Sequence, residues 1–228
     1  MEGNNMSAAK IDPAKTAIVL IEPQNDFLSE GGTMYAFIKD QLAERNVIAN
    51  LSDLLHRARG TVAKIFYVPF GGYEEGFPEL KKGGPATEGL RGIEMDMKAD
   101  WGTGAWLKGT PGPEIIPQLT PEPGDVVVEG KKTLDAFHST ALDYLLRANE
   151  IEYVAMTGFH TNWCVESTAR SAYDKGYRVI AISDCTATDT QEEQDYAEHK
   201  IFPRIGKVMT HEEFLAAVGV APVAAMAA

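Results

Sequence analysis

Ile151-Glu152-Tyr153-Val154-Ala155-Met156-Thr157, continuing into Gly158-Phe159-His160-Thr161-Asn162-Trp163-Cys164-Val165-Glu166, is the stretch on which the fold turns. Its first half is an apolar run of strand length. The run breaks off at Gly158, and an amphipathic helix is predicted near 164–175. The same alternation extends outward in both directions. Strands are predicted near 16–22, 62–68, 125–129, 151–157, 177–183 and 206–209, and helices near 41–58, 139–149, 164–175, 191–202 and 211–217. Strand and helix in turn imply right-handed βαβ crossovers and a mostly parallel six-stranded sheet covered on both faces, an α/β fold. A chain of 228 residues suits one such domain, 1–228, with an N-terminal extension over 1–14 and a small, apolar, unpatterned tail over 218–228. Thr210 and Glu213 read as a capping box for the last helix.

Cys164 stands where that central strand gives way to its helix. The first turn of a helix offers unpaired N–H groups and the positive end of the dipole, so a thiol there is expected to lean toward thiolate. A lone cysteine is more often buried and inert, but two other strand ends bring partners. Thr16-Ala17-Ile18-Val19-Leu20-Ile21 delivers Glu22 at its tip, followed by Pro23, and Asp125-Val126-Val127-Val128-Glu129 delivers Lys131 and Lys132. Singly, a strand-end charge is usually a solvated surface group. Together, acid, lysine and thiol on the carboxyl edge of a parallel sheet, where ligands bind in open α/β folds, make a nucleophile with its base and its cation.

From roughly Thr16 to Phe214 the chain resembles the isochorismatase-like cysteine hydrolases, among them nicotinamidases, biuret hydrolases and ureidoacrylate amidohydrolases. The resemblance rests on Glu22-Pro23-Gln24-Asn25-Asp26-Phe27, on Lys131 ahead of Thr140-Ala141-Leu142-Asp143, and most specifically on Thr157-Gly158-Phe159-His160-Thr161-Asn162-Trp163-Cys164-Val165. It implies a Rossmann-like three-layer α/β/α sandwich and an acid-Lys-Cys triad at Glu22, Lys131 and Cys164. It also implies a cis peptide at Phe159–His160 and an oxyanion hole made by the backbone N–H groups of His160 and Cys164. The expected reaction is hydrolysis of a C–N bond in a small amide or ureide through a thioester. An isochorismatase-type vinyl ether hydrolysis, and a weakened member serving as an oligomeric binding protein, are the alternatives.

The chain departs from the family at Glu22, where Asp is usual; the side chain is one methylene longer, which fits a working triad in a resized pocket, a subfamily of shifted specificity or a weakened hydrolase. Candidate substrate contacts are Gln24, Phe27, Phe159, His160 and Trp163 beside the acid and the thiol, and Arg91 as an anion clamp or a plain surface charge. The five histidines, His56, His138, His160, His199 and His211, include no Asp-x-His pair such as builds the nicotinamidase metal site, so no metal is expected. No Gly-rich phosphate loop follows the first strand, so no cofactor is expected either.

A net charge of −12 argues against nucleic acid and anionic membranes as partners. No apolar run reaches membrane-spanning length, and the first residues carry neither a basic nor an apolar signal region, which reads as cytoplasmic. Two cysteines, Cys164 and Cys185, give no disulfide framework, and Cys185 is expected to be a buried filler. The stretch 69–123, rich in Gly and Pro and holding Trp101 and Trp106, is too long for a plain connection. It is expected to cover the site or to face another subunit of a homo-oligomer, a dimer or tetramer.

Overall fold

A computed structural model describes residues 11–80, 99, 100, 102 and 104–222. Six strands form one sheet: β1 Thr16–Ile21, β2 Lys64–Val68, β3 Val126–Val127, β4 Tyr153–Phe159, β5 Arg178–Ala187 and β6 Gly206–Met209. Their spatial order is β3-β2-β1-β4-β5-β6, and every pairing is parallel. The chain walks outward from β1 to β3 and then crosses back to β4 on the other side of β1. That reversal makes the β1/β4 junction the switch point of the sheet, and a crevice opens beyond its strand ends.

Both faces are covered because successive side chains of a strand point to opposite sides. Ile18 and Leu20 of β1 pack with helices Tyr35–Glu44 and Val47–Ala58 and with the closing helix His211–Ala217, through Ile38, Leu51, Leu54 and Phe214. Ala17, Val19 and Ile21 pack the other way, against Leu142 and Leu146 of the Leu142–Ala148 helix and Ala169 and Ala172 of the Glu166–Asp174 helix. The result is the three-layer α/β/α sandwich.

Several boundaries differ from expectation, each for a local reason. The helix expected over 41–58 is two helices, because Asn46 takes a left-handed backbone (φ 53°) that a short polar side chain tolerates. β3 is two residues long and pairs only with Phe66 and Tyr67, as suits an edge strand. The helix expected over 139–149 begins at Leu142, whose N–H is taken by the Thr140 hydroxyl. The helix expected over 191–202 widens to a π turn at Ala197–Ile201 and resumes at Phe202, with Pro203 in its first turn, where a missing N–H is harmless. The capping box is present: the Thr210 hydroxyl accepts from Glu213 N and the Glu213 carboxylate accepts from Thr210 N.

Gly158, near the end of β4, lies against β1. Its φ is +109°, and a Cβ there would fall 2.0 Å from the Ile21 carbonyl oxygen, so only glycine lets the two central strands close at the switch point. The β4–β5 register shifts between Met156 and Gly158, and the peptide bond joining Phe159 to His160 is cis.

Candidate active site

Glu22 follows the last residue of β1, has a left-handed backbone (φ 56°) and donates its N–H to Val68 O at 3.1 Å; Pro23 then stops the ladder. Glu22 is 1% exposed and Lys131, just past β3, is fully buried; Lys131 Nζ donates to Glu22 Oε1. A buried charge pair of this kind is expensive to desolvate and holds only because each ion has its partner. Burial by itself lowers the Lys131 ammonium, yet the Glu22 charge, with hydrogen bonding to Glu22 and Cys164, outweighs it and the pKa rises, so the lysine stays cationic. Lys131 also stands over the Phe70 ring, 4.9 Å from its centre.

Cys164, buried, lies in a π-helical turn, Thr161–Val165, ahead of the Glu166–Asp174 helix. The expectation of a thiol tilted toward thiolate is reversed. Its pKa is raised well above the ordinary value, first by burial and then by the Glu22 charge, with Lys131 pulling the other way. Desolvation outweighs the lysine and whatever the helix start contributes, because burial strips the sulfur of most of the water that would solvate an anion. At rest the sulfur is therefore a neutral thiol beside the Glu22–Lys131 ion pair.

Glu22, Cys164, Phe27, Met34, Phe70, Trp106, Leu134, His160 and Trp163 line one tight cavity of about 20 Å³. Its walls are mostly apolar, but three of these residues carry a buried polar atom with no hydrogen-bond partner: Glu22 Oε2, Trp106 Nε1 and both ring nitrogens of His160. Unpartnered buried polar atoms are costly in a fold, and three such residues on one lining give the cavity donors and acceptors that a water or a polar ligand can use. The Trp106 wall is pinned from behind, where Asp26, fully buried, accepts from Trp106 N at 2.8 Å and from the Thr33 hydroxyl at 3.1 Å. Burial raises the Asp26 carboxyl, opposed by those bonds.

Of the expected site residues, Glu22, Lys131 and Cys164 meet, and Phe27, His160 and Trp163 share the cavity. Gln24 does not line it. Its amide is taken up holding chain segments together, donating to Phe70 O (2.7 Å) and Pro113 O (3.0 Å) and accepting from Phe70 N (2.6 Å). It faces instead an outer cleft of about 500 Å³ that it shares with Phe70, Lys108 and Lys132. Phe159 is wholly buried in the core layer behind the cavity. Arg91 and Trp101 lie outside the described residues. Met34, Phe70 and Leu134 carried no signal in the sequence, since an apolar residue in a loop reads the same whether it packs or lines.

Among the described residues, the groups of three side chains of metal-ligand type are Asp184, Cys185 and His211, and Asp53, His211 and Glu212; neither includes His160. Arg57 already bridges Asp53 and Glu212.

Comparison with known proteins agrees with this geometry. The isochorismatase domain model matches residues 16–213. An uncharacterized isochorismatase family protein of Bacillus subtilis is 34% identical over 92% of this chain and 97% of its own length. A ureidoacrylate amidohydrolase of Methylobacterium radiotolerans is 31% identical, over 77% of this chain and 68% of that protein. Among solved structures, a cysteine hydrolase from Pseudomonas syringae pv. phaseolicola superposes with a TM-score of 0.75 at 25% identity, over 92% of this chain and 94% of that one. With the family model spanning nearly the whole described chain, and the acid, lysine and thiol gathered at the switch point of its sheet, the chain belongs to the isochorismatase-like cysteine hydrolase family.

Proposed function

We propose that the protein is a cysteine-dependent amidohydrolase that cleaves a C–N bond of a small amide or ureide, with Glu22, Lys131 and Cys164 as its triad. The observation that carries this reading is the buried Glu22–Lys131 pair beside the Cys164 thiol. A raised thiol is no nucleophile at rest, so a base must take its proton as attack begins, and Glu22 Oε2 is free to do so. Lys131 holds the charge balance. Cys164 attacks the carbonyl carbon, and the N–H groups of His160 and Cys164 receive the oxyanion. Protonated Glu22 then hands its proton to the departing amine, leaving a thioester that water cleaves.

The aromatic walls, Phe27, Trp163 and Trp106, suit a flat acyl group, and the Trp106 indole N–H offers it a hydrogen bond. The cavity as it stands is about the size of one water, so admitting a substrate requires a wall to move, and the exposed Leu134 is freer to do so than the pinned Trp106. The relative that acts on ureidoacrylate supports the ureide class. A cytoplasmic homo-oligomer is the setting that goes with the reading, and light scattering on the purified chain tests the assembly.

The reaction is tested with a panel of small carboxamides, ureides and isochorismate, with ammonia and pyruvate monitored together. Ammonia release that vanishes in Cys164→Ala is the expected result. Pyruvate release from isochorismate that survives this substitution would replace amide hydrolysis by vinyl ether chemistry.

A further inference from the structure

His160 is the cavity residue that the triad leaves unused. Its ring is 2% exposed, stacks on Trp163 with centroids 5.6 Å apart, and meets Phe27 edge-on at 5.8 Å. Nδ1 lies 2.8 Å from Asp189 Oδ1, near enough for a hydrogen bond, although the ring is turned so that the angle is poor and both atoms stay unpartnered. Asp189 is held from both sides. Thr188 donates its hydroxyl to Asn162 Oδ1 at 2.5 Å, and Thr190 caps the Gln191–Tyr196 helix. A turn of the ring that closes this 2.8 Å contact would make Nδ1 the donor to Asp189 and leave Nε2 to accept. Nε2 is buried and unpartnered in a residue that lines the cavity with Cys164. An imidazole kept there only for packing would leave both nitrogens desolvated for nothing in return.

We propose that His160, oriented by Asp189, is the base that activates water for hydrolysis of the thioester, so that one acid–base group makes the acyl-enzyme and another clears it. The proposal rests on the amidohydrolase reading. Water attacks the thioester carbonyl carbon as its proton passes to His160 Nε2. The tetrahedral intermediate collapses, the C–S bond breaks with its electron pair going to Sγ, and the carboxylic acid leaves. The sulfur then takes the proton from Nε2, which restores neutral His160 and the thiol. His160 is a catalytic residue in this scheme, and Asp189 is a positioning residue.

The test uses the full chain acylated with p-nitrophenyl acetate, a probe that needs no knowledge of the natural substrate. Intact-protein mass spectrometry follows the acetyl group on Cys164 as it forms and as it is lost. His160→Gln should take up the acetyl group and lose it on the order of 10²-fold more slowly than wild type. Asp189→Asn should slow the loss by about tenfold without slowing acylation, a split that a general structural defect would not produce. Added imidazole should speed deacylation of His160→Ala and leave wild type unchanged. Should His160→Gln fail to fold, as judged by its Tm, Asp189→Asn carries the test alone, since that carboxylate is one-third exposed. Acetyl loss at the wild-type rate in the variants overturns the proposal and leaves the amidohydrolase reading intact, as does failure of His160→Gln to acylate, which would move His160 to the first step. Absence of any adduct on wild-type Cys164 removes both together.

Discussion

Cys164 and Cys185 are both buried thiols, one packed into each apolar layer of the sandwich, and burial drives the pKa of each well above a thiol's ordinary range. They differ in what surrounds the sulfur. Around Cys185 the neighbouring charges, Asp184 and Asp53, push in the same direction as burial. Around Cys164 there is an opposing cation, Lys131, and a carboxylate with one oxygen unengaged. A thiolate formed at Cys185 has nowhere to put its charge, whereas one formed at Cys164 replaces the charge that Glu22 gives up when it takes the proton. Burial thus decides that both rest as thiols, and the neighbours decide which one is able to react.

The largest effect is expected from removing the cation. Lys131→Met leaves Glu22 buried without a partner, and breaking a buried pair in this way costs about 3–5 kcal/mol of stability. Activity should fall on the order of 10³-fold, since the charge that stabilises the thiolate is gone. The double variant Glu22→Gln with Lys131→Met should regain most of the stability and none of the activity. A single Lys131→Met protein that keeps its activity would erase the distinction between the two thiols. Chemical denaturation and turnover, measured on the same samples, separate the outcomes.

Glu22 tests the other half of the environment. Glu22→Gln keeps the shape but accepts no proton, and the rate should drop by ~10²–10⁴-fold. Glu22→Asp restores the family's usual residue but shortens the reach by one methylene in a pocket built around the longer side chain, so it too should lose activity. An Asp variant that matches or exceeds the parent on simple amides would make Glu22 a handicap and move its role away from proton transfer.

Both raised thiols have a consequence for stability against pH. A thiol whose pKa is higher in the folded chain contributes stability that is fully present below the unfolded pKa of about 8.5, and loses it as pH rises from there toward the folded value. In that window the unfolded chain binds fewer protons than the folded one, so the free energy of unfolding decreases. Denaturation midpoints should fall as pH rises past 9, and Cys185→Ala and Cys164→Ala should each flatten the slope. A slope untouched by Cys185→Ala would mean that its sulfur is better solvated than its burial implies.

The strand ends were readable from the chain alone because a carboxylate, a lysine and a cysteine each follow an apolar run, and a parallel sheet brings such ends to one edge. Glu22, one of the paired lysines and Cys164 could therefore be placed together without coordinates, and the family resemblance chose Lys131 of the pair. What the sequence could not carry was desolvation. A helix start and a lysine argue for thiolate, and only the packing around Sγ shows that burial wins. Gln24 was misplaced for a similar reason, because its three bonds go to backbone atoms of Phe70 and Pro113, which are remote in sequence. Asp189 carried no signal either; a carboxylate one residue ahead of a capping threonine reads as part of the helix start until the chain folds it against His160.

The smallest effect probes the Cys185 side alone. Thr210 caps the closing helix, and the first residue of that helix, His211, donates its N–H to Asp184 Oδ1 at 2.8 Å with Nδ1 2.6 Å from Asp184 Oδ2. The cap therefore helps hold the acid that neighbours Cys185. Thr210→Ala should cost about 1 kcal/mol, which multiplies local opening of that helix by about fivefold. In wild type, iodoacetamide should label Cys164 slowly, through the cavity, and Cys185 more slowly still, because its route is local opening. The variant should raise Cys185 labelling about fivefold and leave Cys164 labelling and turnover unchanged. If both cysteines accelerate in step, opening is global rather than local, and the two thiols share one protection. The difference in their reactivity would then belong to their charged neighbours alone and owe nothing to separate access.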